Sequence, residues 1–413
     1  MTRLMFATGI ECSNPVSVGA NGERKRIDEL ELTFHYTRWK EDFRLVRAMG
    51  LEYLRYGPPW YRVHLGPGRY DWEFVDATFS ELHRLGITPI VDLCHFGVPD
   101  WIGDFQNPDL PQLFTEYAAA FARRCPWVRF YTPVNEIYVC AKLSTLVGLW
   151  NERAVGNHRA FVTALKHLCC ANLFAIREIL EVRPDAIFIQ SESAEYFHAG
   201  GGDERSEGTA RKENARRFLS LDFLLSHKVG EDTQTYLFDN GLTRAELDWF
   251  MAHGLGRRIV IGNDYYAHNE QVIDPTGAAR PTGEVFGWAV IAGQYFDRYR
   301  RVAMHTETNT IDSRDAPRWL WKEFYNVRHL RDRGVPVVGF TWYSLLDQVD
   351  WDCALAQQRG VVNPLGLFDL QRHPRPVAAA YLELLREFGD EPLLPENVMP
   401  ADGVEMFAPL QAS

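Results

Sequence analysis

Short apolar runs alternate along the chain with longer segments in which apolar side chains recur every three or four residues. The short runs are typical of buried parallel strands, and the longer segments are typical of amphipathic helices that pack against them. This alternation favours repeated strand–helix units around a parallel sheet. Eight runs have the character of strands: Leu4–Ile10, Leu51–Tyr56, Thr88–Cys94, Val128–Val134, Ala186–Gln190, Arg258–Asp264, Arg301–Thr306 and Val337–Trp342.

Helical segments lie between these runs and carry the expected stop signals. Gly86, for example, follows one such segment just before a strand, where a helix end needs a residue that tolerates positive φ. The clearest helical patterns cover residues 72–85, 113–124, 158–182 and 319–333. Eight strands with helices between them predict an α/β fold, a single (β/α)8 TIM barrel with elaborated loops on its carboxyl-terminal face. We place this barrel in residues 1–390 and predict that 391–413 form a tail that wraps the barrel or frays.

Two stretches interrupt the strand and helix pattern and look like insertions. They cover residues 191–209 and 269–284, and both are rich in glycine or proline. Each follows a predicted strand, so both would lie on the face of the barrel where active sites are built. Because no Pro-, Gly- or Ser-rich linker and no internal repeat divides the sequence, one domain is the simplest account.

Charge and cysteine content narrow the class of protein further. The 413 residues include 44 basic and 55 acidic side chains, a formal net charge of −11. This balance argues against a broad surface for nucleic acid or for an anionic membrane. The apolar run near residue 1 is too short for a signal-peptide core, and no later segment stays apolar for about 18 residues, so we expect a cytoplasmic protein. The scattered cysteines contain no C-x-x-C pair, so we expect neither a disulfide framework nor a structural metal site.

Polar side chains cluster where the predicted strands end. In a parallel barrel the carboxyl ends of all strands surround one pocket, so these side chains are expected to converge there. They include carboxylates, an arginine, a histidine, an asparagine and several aromatic rings: Glu11, Arg55, His95, Asn135, Glu136, Asp264, Tyr265, Tyr266, Glu307, Trp342 and Tyr343.

Two of these residues, Glu136 and Glu307, follow the fourth and seventh predicted strands. They are far apart in the sequence, but they would face each other if these strands lie on opposite sides of the barrel mouth. A pair of carboxylic acids on either side of a glycosidic bond suffices for its hydrolysis, one as the proton donor and one as the nucleophile or water activator. An isolated glutamate would more simply be a solvated loop residue, so the surrounding motifs decide between the two interpretations.

Six short motifs lie at the predicted strand ends. Two of them contain the glutamates, T-P-V-N-E at 132–136 and T-E-T-N at 306–309. The other four are R-Y-G-P-P-W-Y-R at 55–62, H-F-G-V-P at 95–99, G-N-D-Y-Y at 262–266 and Y-S-L-L-D-Q-V-D-W at 343–351. In their order along the chain, these six resemble the motifs of family 1 glycoside hydrolases, the β-glucosidase family, whose two glutamate segments read T-x-N-E-P and T-E-N-G. Together they span most of the predicted barrel, which makes the resemblance specific.

The resemblance implies a retaining double displacement on a terminal β-linked sugar such as a β-glucoside or β-galactoside. By position in the motifs, Glu136 would be the general acid/base and Glu307 the nucleophile. Arg55 and Tyr266 would contact Glu307 and favour its charged form. Glu136 must instead hold a proton near neutral pH, which needs a drier or more negative setting.

The same resemblance implies a set of residues that bind the sugar. Asn135 would contact the 2-hydroxyl, where hydrogen bonds tighten in the transition state. His95, Asp350 and Trp351 would bind the other hydroxyls and the face of the ring, and Glu11 would join them from the first strand. The expected partner is therefore a carbohydrate, with no nucleic acid, membrane, metal or cofactor, and with homo-oligomer formation left open.

Several positions depart from the family motifs. Phe96 replaces a tryptophan, Asp264 replaces the asparagine of the N-Y-Y segment, and Ile137 replaces the proline after N-E. Tyr343 takes the place of a tryptophan, and Asp350 is shorter than the expected glutamate. Because these positions shape the pocket, the reaction class follows more directly from the sequence than the substrate does.

His305 has no counterpart in the motifs and leaves further interpretations open. It precedes Glu307 by two positions on a predicted strand, so both side chains would share one face and point inward. His305 could then act on the charge of Glu307, fill the barrel interior, or bind a metal. A metal-dependent hydrolase would use His95, His305 and carboxylates such as Asp92 or Glu136. The other alternative is a barrel that binds a sugar without cleaving it.

Overall fold

The eight predicted strands form a closed barrel of eight parallel strands in the computed structural model, which describes residues 3–19 and 21–407. Each strand pairs with the next one along the chain, and the last pairs with the first. The strands are β1 Met5–Gly9, β2 Tyr53–Tyr56, β3 Thr88–Cys94, β4 Phe130–Val134, β5 Ile187–Ser193, β6 Ile259–Asp264, β7 Ala303–Glu307 and β8 Val337–Trp342. The (β/α)8 prediction is therefore confirmed.

Helices surround this barrel, and the four clearest sequence patterns all lie in helices. Helix Glu73–Leu85 ends at Gly86, which has φ 66° as its sequence position predicts. Within the described ranges the α-helices are Glu29–Leu32, His35–Ala48, Trp60–Val63, Glu73–Leu85, Leu110–Arg124, Ile137–Lys142, His158–Val182, Glu204–Arg216, Leu219–Leu224, Glu231–Asp239, Arg244–His253, Gly287–Tyr299, Ala316–Asp332 and Pro376–Phe388. Short 3-10 or π turns are Leu143–Val147, Gly256–Arg258, Ala267–Asn269, Trp351–Cys353 and Val404–Phe407.

Most of the buried apolar residues form two layers, one inside the barrel and one between the strands and the helices. Helix Glu73–Leu85 contributes Val75, Phe79 and Leu82 to the outer layer, as its periodicity predicts. The inner layer fills the lower barrel and includes Met5, Ala7, Tyr53, Ile90, Phe130, Ile187, Ile189, Val260, Met304 and Val338. Since this layer occupies the amino-terminal part of the barrel, polar side chains have room only at the opposite end.

The segment after residue 390 lies against the amino-terminal end of the barrel. Leu393 and Phe407 belong to the inner apolar layer, and the amide of Leu4 donates to the carbonyl of Glu391 over 2.8 Å. The last part of the predicted tail, residues 408–413, lies outside the described residues. The division of the chain at residue 390 stays a prediction.

The two stretches that we interpreted as insertions pair with each other. Tyr196–Ala199, Glu270–Ile273 and Ala279–Pro281 form a three-stranded sheet beyond the ends of β5 and β6. The first insertion begins later than expected, because β5 continues to Ser193. The polar residues S-E-S at 191–193 form the end of this strand, and their side chains are buried. The other short strands are Val16–Val18 with Arg24–Arg26, His64–Gly66 with Arg69–Tyr70, and Gln348–Val349 with Val362–Asn363.

His305 does not share a face with Glu307, so that expectation was wrong. The ring of His305 stacks on Trp288 at 4.5 Å, and its Nε2 atom lies 3.3 Å from Oε2 of Glu323. Both partners belong to helices outside the barrel. Consecutive residues of β6 pair with His305 and Glu307, so β7 contains one extra residue at this point. This β-bulge interrupts the alternation of faces on which the expectation rested.

One described helix, His158–Val182, is long and apolar enough to cross a membrane by length and composition. Most of its apolar stretch is buried within the protein, where the helix packs against Leu110–Arg124. Its apolar face is therefore already used by the outer layer of the barrel.

Candidate active site

The carboxyl ends of the barrel strands bring a compact group of polar side chains together. Arg55 lies on β2, Asn135 and Glu136 follow β4, and Glu307 ends β7. All four are at least nine-tenths buried. Closure of the barrel therefore brings together residues that are widely separated in the sequence, as the sequence pattern predicted.

Arg55 donates hydrogen bonds to three other side chains of this region. Its Nη1 atom donates to Oε1 of Glu307, and its Nη2 atom donates to Oδ2 of Asp92 over 3.0 Å and to Oδ1 of Asn135 over 2.8 Å. Burial opposes a charge on Asp92, but the guanidinium group holds the pKa of that carboxyl below its ordinary value. A planar guanidinium can donate in several directions at once, so one side chain orients three others.

Tyr266 holds the second oxygen of Glu307. Its hydroxyl donates to Oε2 over 2.6 Å. The backbone amide of Tyr266 donates to Oδ1 of Asn269 over 2.7 Å, which fixes the loop that carries the ring. Burial and the neighbouring Glu307 raise the pKa of Tyr266 well above its ordinary value, so the hydroxyl keeps its proton and remains a donor.

Glu136 has a different environment. It lies in the left-handed region, with φ 43°, at the start of helix Ile137–Lys142, and its amide donates to the carbonyl of Ser191 over 2.9 Å. Within the part of the chain that the structure describes, no donor reaches its carboxyl group. Burial, Asp264 and Glu307 raise the pKa of Glu136 well above its ordinary value. A non-glycine residue in this conformation is costly and is often found at functional sites.

His95 connects Asn135 to the first strand. Its Nε2 atom lies 3.1 Å from Nδ2 of Asn135 and 3.7 Å from Oε1 of Glu11, and its Nδ1 atom lies 3.4 Å from Oδ2 of Asp92. The structure thus brings His95 and Asn135 together with the carboxyl cluster.

Glu11 lies at the edge of the cluster and is bound on both oxygens. Ser13 donates to Oε1 through its amide over 2.9 Å, and Gln348 donates to Oε2 over 3.1 Å. Burial raises the pKa of Glu11.

Asp350 does not behave as the sequence led us to expect for a sugar ligand. Its Oδ2 atom accepts from the amides of Arg359 and Gly360 over 2.7 and 2.9 Å, and its Oδ1 atom accepts from Val361 over 2.8 Å. Both oxygens therefore stabilise the fold of its own loop. Trp351, the next residue, is half-buried, and its indole N–H has no partner among the described residues.

The sequence interpretation missed the structural importance of three residues. Asp92 was considered only as a metal ligand, yet it anchors Arg55. Asp264 and Tyr343 were placed among the strand ends around the pocket and noted as departures from the motifs, but neither was given a role. The Tyr343 ring lies 5.2 Å from the guanidinium carbon of Arg55, and Ser191 lies 2.7 Å from both carboxyl oxygens of Asp264. A polar residue within an apolar strand, as at Asp92, was the available signal.

One group within the described residues has the composition and closeness of a metal site: Cys12, Asp92 and His95. Sγ of Cys12 lies 3.6 Å from Nδ1 of His95, and Arg55 already binds Asp92. Hydrogen bonds therefore engage all three side chains as they stand. Because His305 packs on the outside of the barrel, the structure does not combine it with His95 in one site.

Chemically, the site places two carboxyl groups in opposite environments. Arg55 and Tyr266 donate to Glu307, and these bonds stabilise a negative charge. Glu136 lacks such donors among the residues that the structure describes, and its surroundings favour the protonated form. A pair of this kind can supply a nucleophile and a proton to one bond.

Comparison with known proteins shows similarity along most of the chain. Residues 22–231 match the sequence profile of Glycosyl hydrolase family 1. The chain is 29% identical to the 6-phospho-beta-glucosidase AscB of Escherichia coli (strain K12), covering 77% of this chain and 76% of that protein. A 6-phospho-beta-glucosidase of Clostridium longisporum is 28% identical, but the match spans 36% of this chain and 34% of that protein. The beta-glucosidase from Thermotoga maritima in complex with deoxynojirimycin has the same fold, with TM-score 0.77 at 18% identity over 93% of this chain and 97% of that chain.

Proposed function

Because the chain belongs to glycosyl hydrolase family 1 and is therefore a glycosidase, we propose that it removes a terminal β-linked sugar with retention of configuration. In this proposal Glu307 is the nucleophile and Glu136 is the general acid/base. The observation that carries it is the contrast between the two carboxyl groups. Arg55 and Tyr266 donate to both oxygens of Glu307, whereas Glu136 is buried near other carboxyl groups and receives no donor from residues 3–19 or 21–407.

The reaction proceeds in two displacements. In the first, a carboxylate oxygen of Glu307 forms a bond to the anomeric carbon while the glycosidic C–O bond breaks. The proton of Glu136 passes to the departing oxygen. In the second, the Glu136 carboxylate takes a proton from water, and the water oxygen attacks the anomeric carbon. The bond to Glu307 breaks, its carboxylate is restored, and Glu136 is protonated again.

The sugar is held by side chains next to these two residues. Asn135 is fixed by Arg55 through its carbonyl and by His95 through one hydrogen of its amide group, so the second amide hydrogen would serve the sugar 2-hydroxyl. His95 would bind another hydroxyl, and Trp351 would contact the sugar face. We leave Glu11 and Asp350 out of the proposed contacts, because hydrogen bonds within the protein already engage both oxygens of each carboxyl group.

We further propose that the preferred sugar is neutral rather than phosphorylated. The cluster contains more carboxyl groups than basic groups, since Arg55 and His95 face Glu11, Asp92, Glu136, Asp264 and Glu307. Two cations in segments that follow barrel strands are already paired, Lys142 with Glu195 and Arg359 with Asp352. A phosphate dianion would therefore meet repulsion here. The cytoplasmic location and homo-oligomer formation stay predictions.

Hydrolysis of a panel of 4-nitrophenyl β-glycosides tests the reaction. Glu307→Gln and Glu136→Gln should each lose roughly a thousandfold in kcat/KM. Glu152→Gln, which changes a buried carboxyl bonded to Phe105 and Gln106 instead, should retain activity. Retained activity in either of the first two variants would contradict the assignment.

Product stereochemistry tests the mechanism, and substrate choice tests the sugar. The first product seen by proton NMR should be the β-anomer, and the α-anomer would indicate inversion. Azide added to Glu136→Ala should restore turnover of a substrate with a good leaving group and give the β-glycosyl azide.

A higher kcat/KM for 4-nitrophenyl β-glucoside 6-phosphate than for the neutral glucoside would overturn the proposal of a neutral sugar.

A further inference from the structure

Asp264 adds a carboxyl group at a position where the family motif has an asparagine. It ends β6, and its side chain is fully buried. The hydroxyl oxygen of Ser191 lies 2.7 Å from each of its carboxyl oxygens, and Nη1 of Arg55 lies 3.8 Å from Oδ1. An asparagine could make the same contact with Ser191, so the hydrogen bond alone does not explain an acid here. The difference is the capacity to carry a charge.

The groups around Glu136 come from four strands of the barrel. The charges of Asp264 on β6 and Glu307 on β7 oppose ionisation of Glu136, Glu192 on β5 opposes it less, and His95 after β3 favours it. Ser191 on β5 links two of these residues, because the amide of Glu136 donates to its carbonyl over 2.9 Å and its hydroxyl donates to Asp264 over 2.7 Å. Of these, Asp264 is the charged residue with the largest effect on Glu136. The charge of Asp264 therefore acts directly on the residue that must hold a proton.

The groups around Asp264 differ from those around Glu136. Glu307 opposes its charge, whereas Arg55 and Ser191 favour it. In the described part of the chain, the carboxyl group of Glu136 has no such donor. Burial and Glu307 still raise the pKa of Asp264 well above its ordinary value. Because two buried carboxyl groups that repel each other cannot both ionise readily, the one whose charge is better stabilised by donors and cations loses its proton first. Asp264 is that residue, and its charge then opposes ionisation of Glu136.

We propose that Asp264 is a positioning residue for the proton of Glu136: its buried carboxylate, held by Ser191 and Arg55, keeps Glu136 protonated into the alkaline range. This inference rests on the proposed function in one respect, that Glu136 is the acid/base. It extends that function by naming a residue that sets the upper pH limit of activity.

Asp264→Asn is the first test, because it removes the charge and keeps the shape of the side chain. The alkaline limb of the kcat/KM profile should move to lower pH by about one unit or more. Activity near the acidic end of the profile should change much less. Glu192→Gln is the matched control, since it neutralises a buried carboxyl on the neighbouring strand, and it should move the limb by a smaller amount. An equal shift in both variants would overturn a specific role for Asp264.

Ser191→Ala is a second variant that keeps the carboxyl group. It removes the hydroxyl that favours the charge on Asp264. The alkaline limb of the kcat/KM profile should therefore move to lower pH, by a smaller amount than in Asp264→Asn. A shift to higher pH would contradict the proposal, and this result stands even if Asp264→Asn folds poorly.

A direct titration separates this inference from the proposed function. Protein labelled with 13C at the glutamate carboxyl carbon allows the Glu136 resonance to be identified by its loss in Glu136→Gln. It should titrate at lower pH in Asp264→Asn than in the unaltered protein. An unchanged midpoint overturns the inference, whether or not any glycoside is cleaved. Absence of turnover with a shifted midpoint would instead overturn the proposed function alone.

Discussion

The ring of Tyr343 occupies the space that a side chain on Gly9 would need. A Cβ atom at position 9 would lie 2.0 Å from Cε2 and 2.2 Å from Cδ2 of Tyr343. The same ring lies 5.2 Å from the guanidinium carbon of Arg55 and is nearly parallel to His95. Because Gly9 has no side chain, the Tyr343 ring can pack against the end of β1, next to Arg55, which binds Glu307.

Gly9→Ala should therefore destabilise the protein and lower its activity together. We expect a loss of about 1–3 kcal/mol in the free energy of unfolding, because the ring must leave a well-packed position. The displaced ring should also disturb Arg55 and reduce kcat. Denaturant unfolding and 4-nitrophenyl glycoside kinetics measure the two effects.

Gly293→Ala is the matched control for that substitution. Gly293 lies within helix Gly287–Tyr299, and the nearest atom to a new Cβ is Cδ2 of Leu330 at 3.9 Å. Alanine should stabilise this helix by about 0.5–1 kcal/mol. Gly9→Ala could instead leave the free energy of unfolding unchanged, or its destabilisation could persist when Tyr343→Ala is introduced as well. Either result would contradict a clash between a side chain at position 9 and the Tyr343 ring.

Replacement of Arg55 by lysine should reduce kcat by roughly 10²–10³-fold. An ammonium group is also cationic, but it cannot reach Glu307, Asp92 and Asn135 together in the geometry that the guanidinium provides. The buried carboxylates left without a donor should also lower the melting temperature. Arg84→Lys changes an exposed ion pair with Glu81 and should alter neither quantity. Full activity in Arg55→Lys would show that the charge alone is sufficient.

Glu192 makes the stability of the protein depend on pH. Burial raises its pKa to about 7 from 4.5. The protonated Glu192 side chain therefore makes its full contribution to the free energy of unfolding below pH 4.5. This contribution is lost as the pH rises through about 7. The Glu192→Gln variant has no carboxyl group that titrates at this position. Relative to the unaltered protein, its free energy of unfolding should therefore rise by roughly 3 kcal/mol between pH 4.5 and 8. Urea unfolding across that range measures it, and parallel curves for the two proteins would refute the prediction.

His305→Phe should affect stability without affecting the pH profile of activity. Phenylalanine can still stack on Trp288, but it leaves Glu323 without its imidazole partner in a buried position. We expect a loss of about 1–3 kcal/mol in unfolding free energy. A shifted pH profile of kcat/KM would mean that His305 acts on Glu307 after all.

The sequence alone was sufficient to predict the barrel and the two carboxyl groups at its mouth. Strand and helix periods are local properties, so the order of the eight strands follows from them. Glu136 and Glu307 could be paired because the carboxyl ends of parallel strands must surround one pocket. The motifs also identified Arg55, His95, Asn135 and Tyr266, each of which lies in or beside the cluster.

Only the tertiary structure decided how these groups act on one another. A bulge in β7 turns His305 away from Glu307, and pairing with a neighbouring strand creates that bulge. The loop amides that bind Asp350, and the contacts that distinguish Asp264 from Glu136, come from segments remote in the sequence. The charge state of a buried carboxyl depends on its distance from donors and other charges across the barrel. A local sequence pattern does not contain those distances.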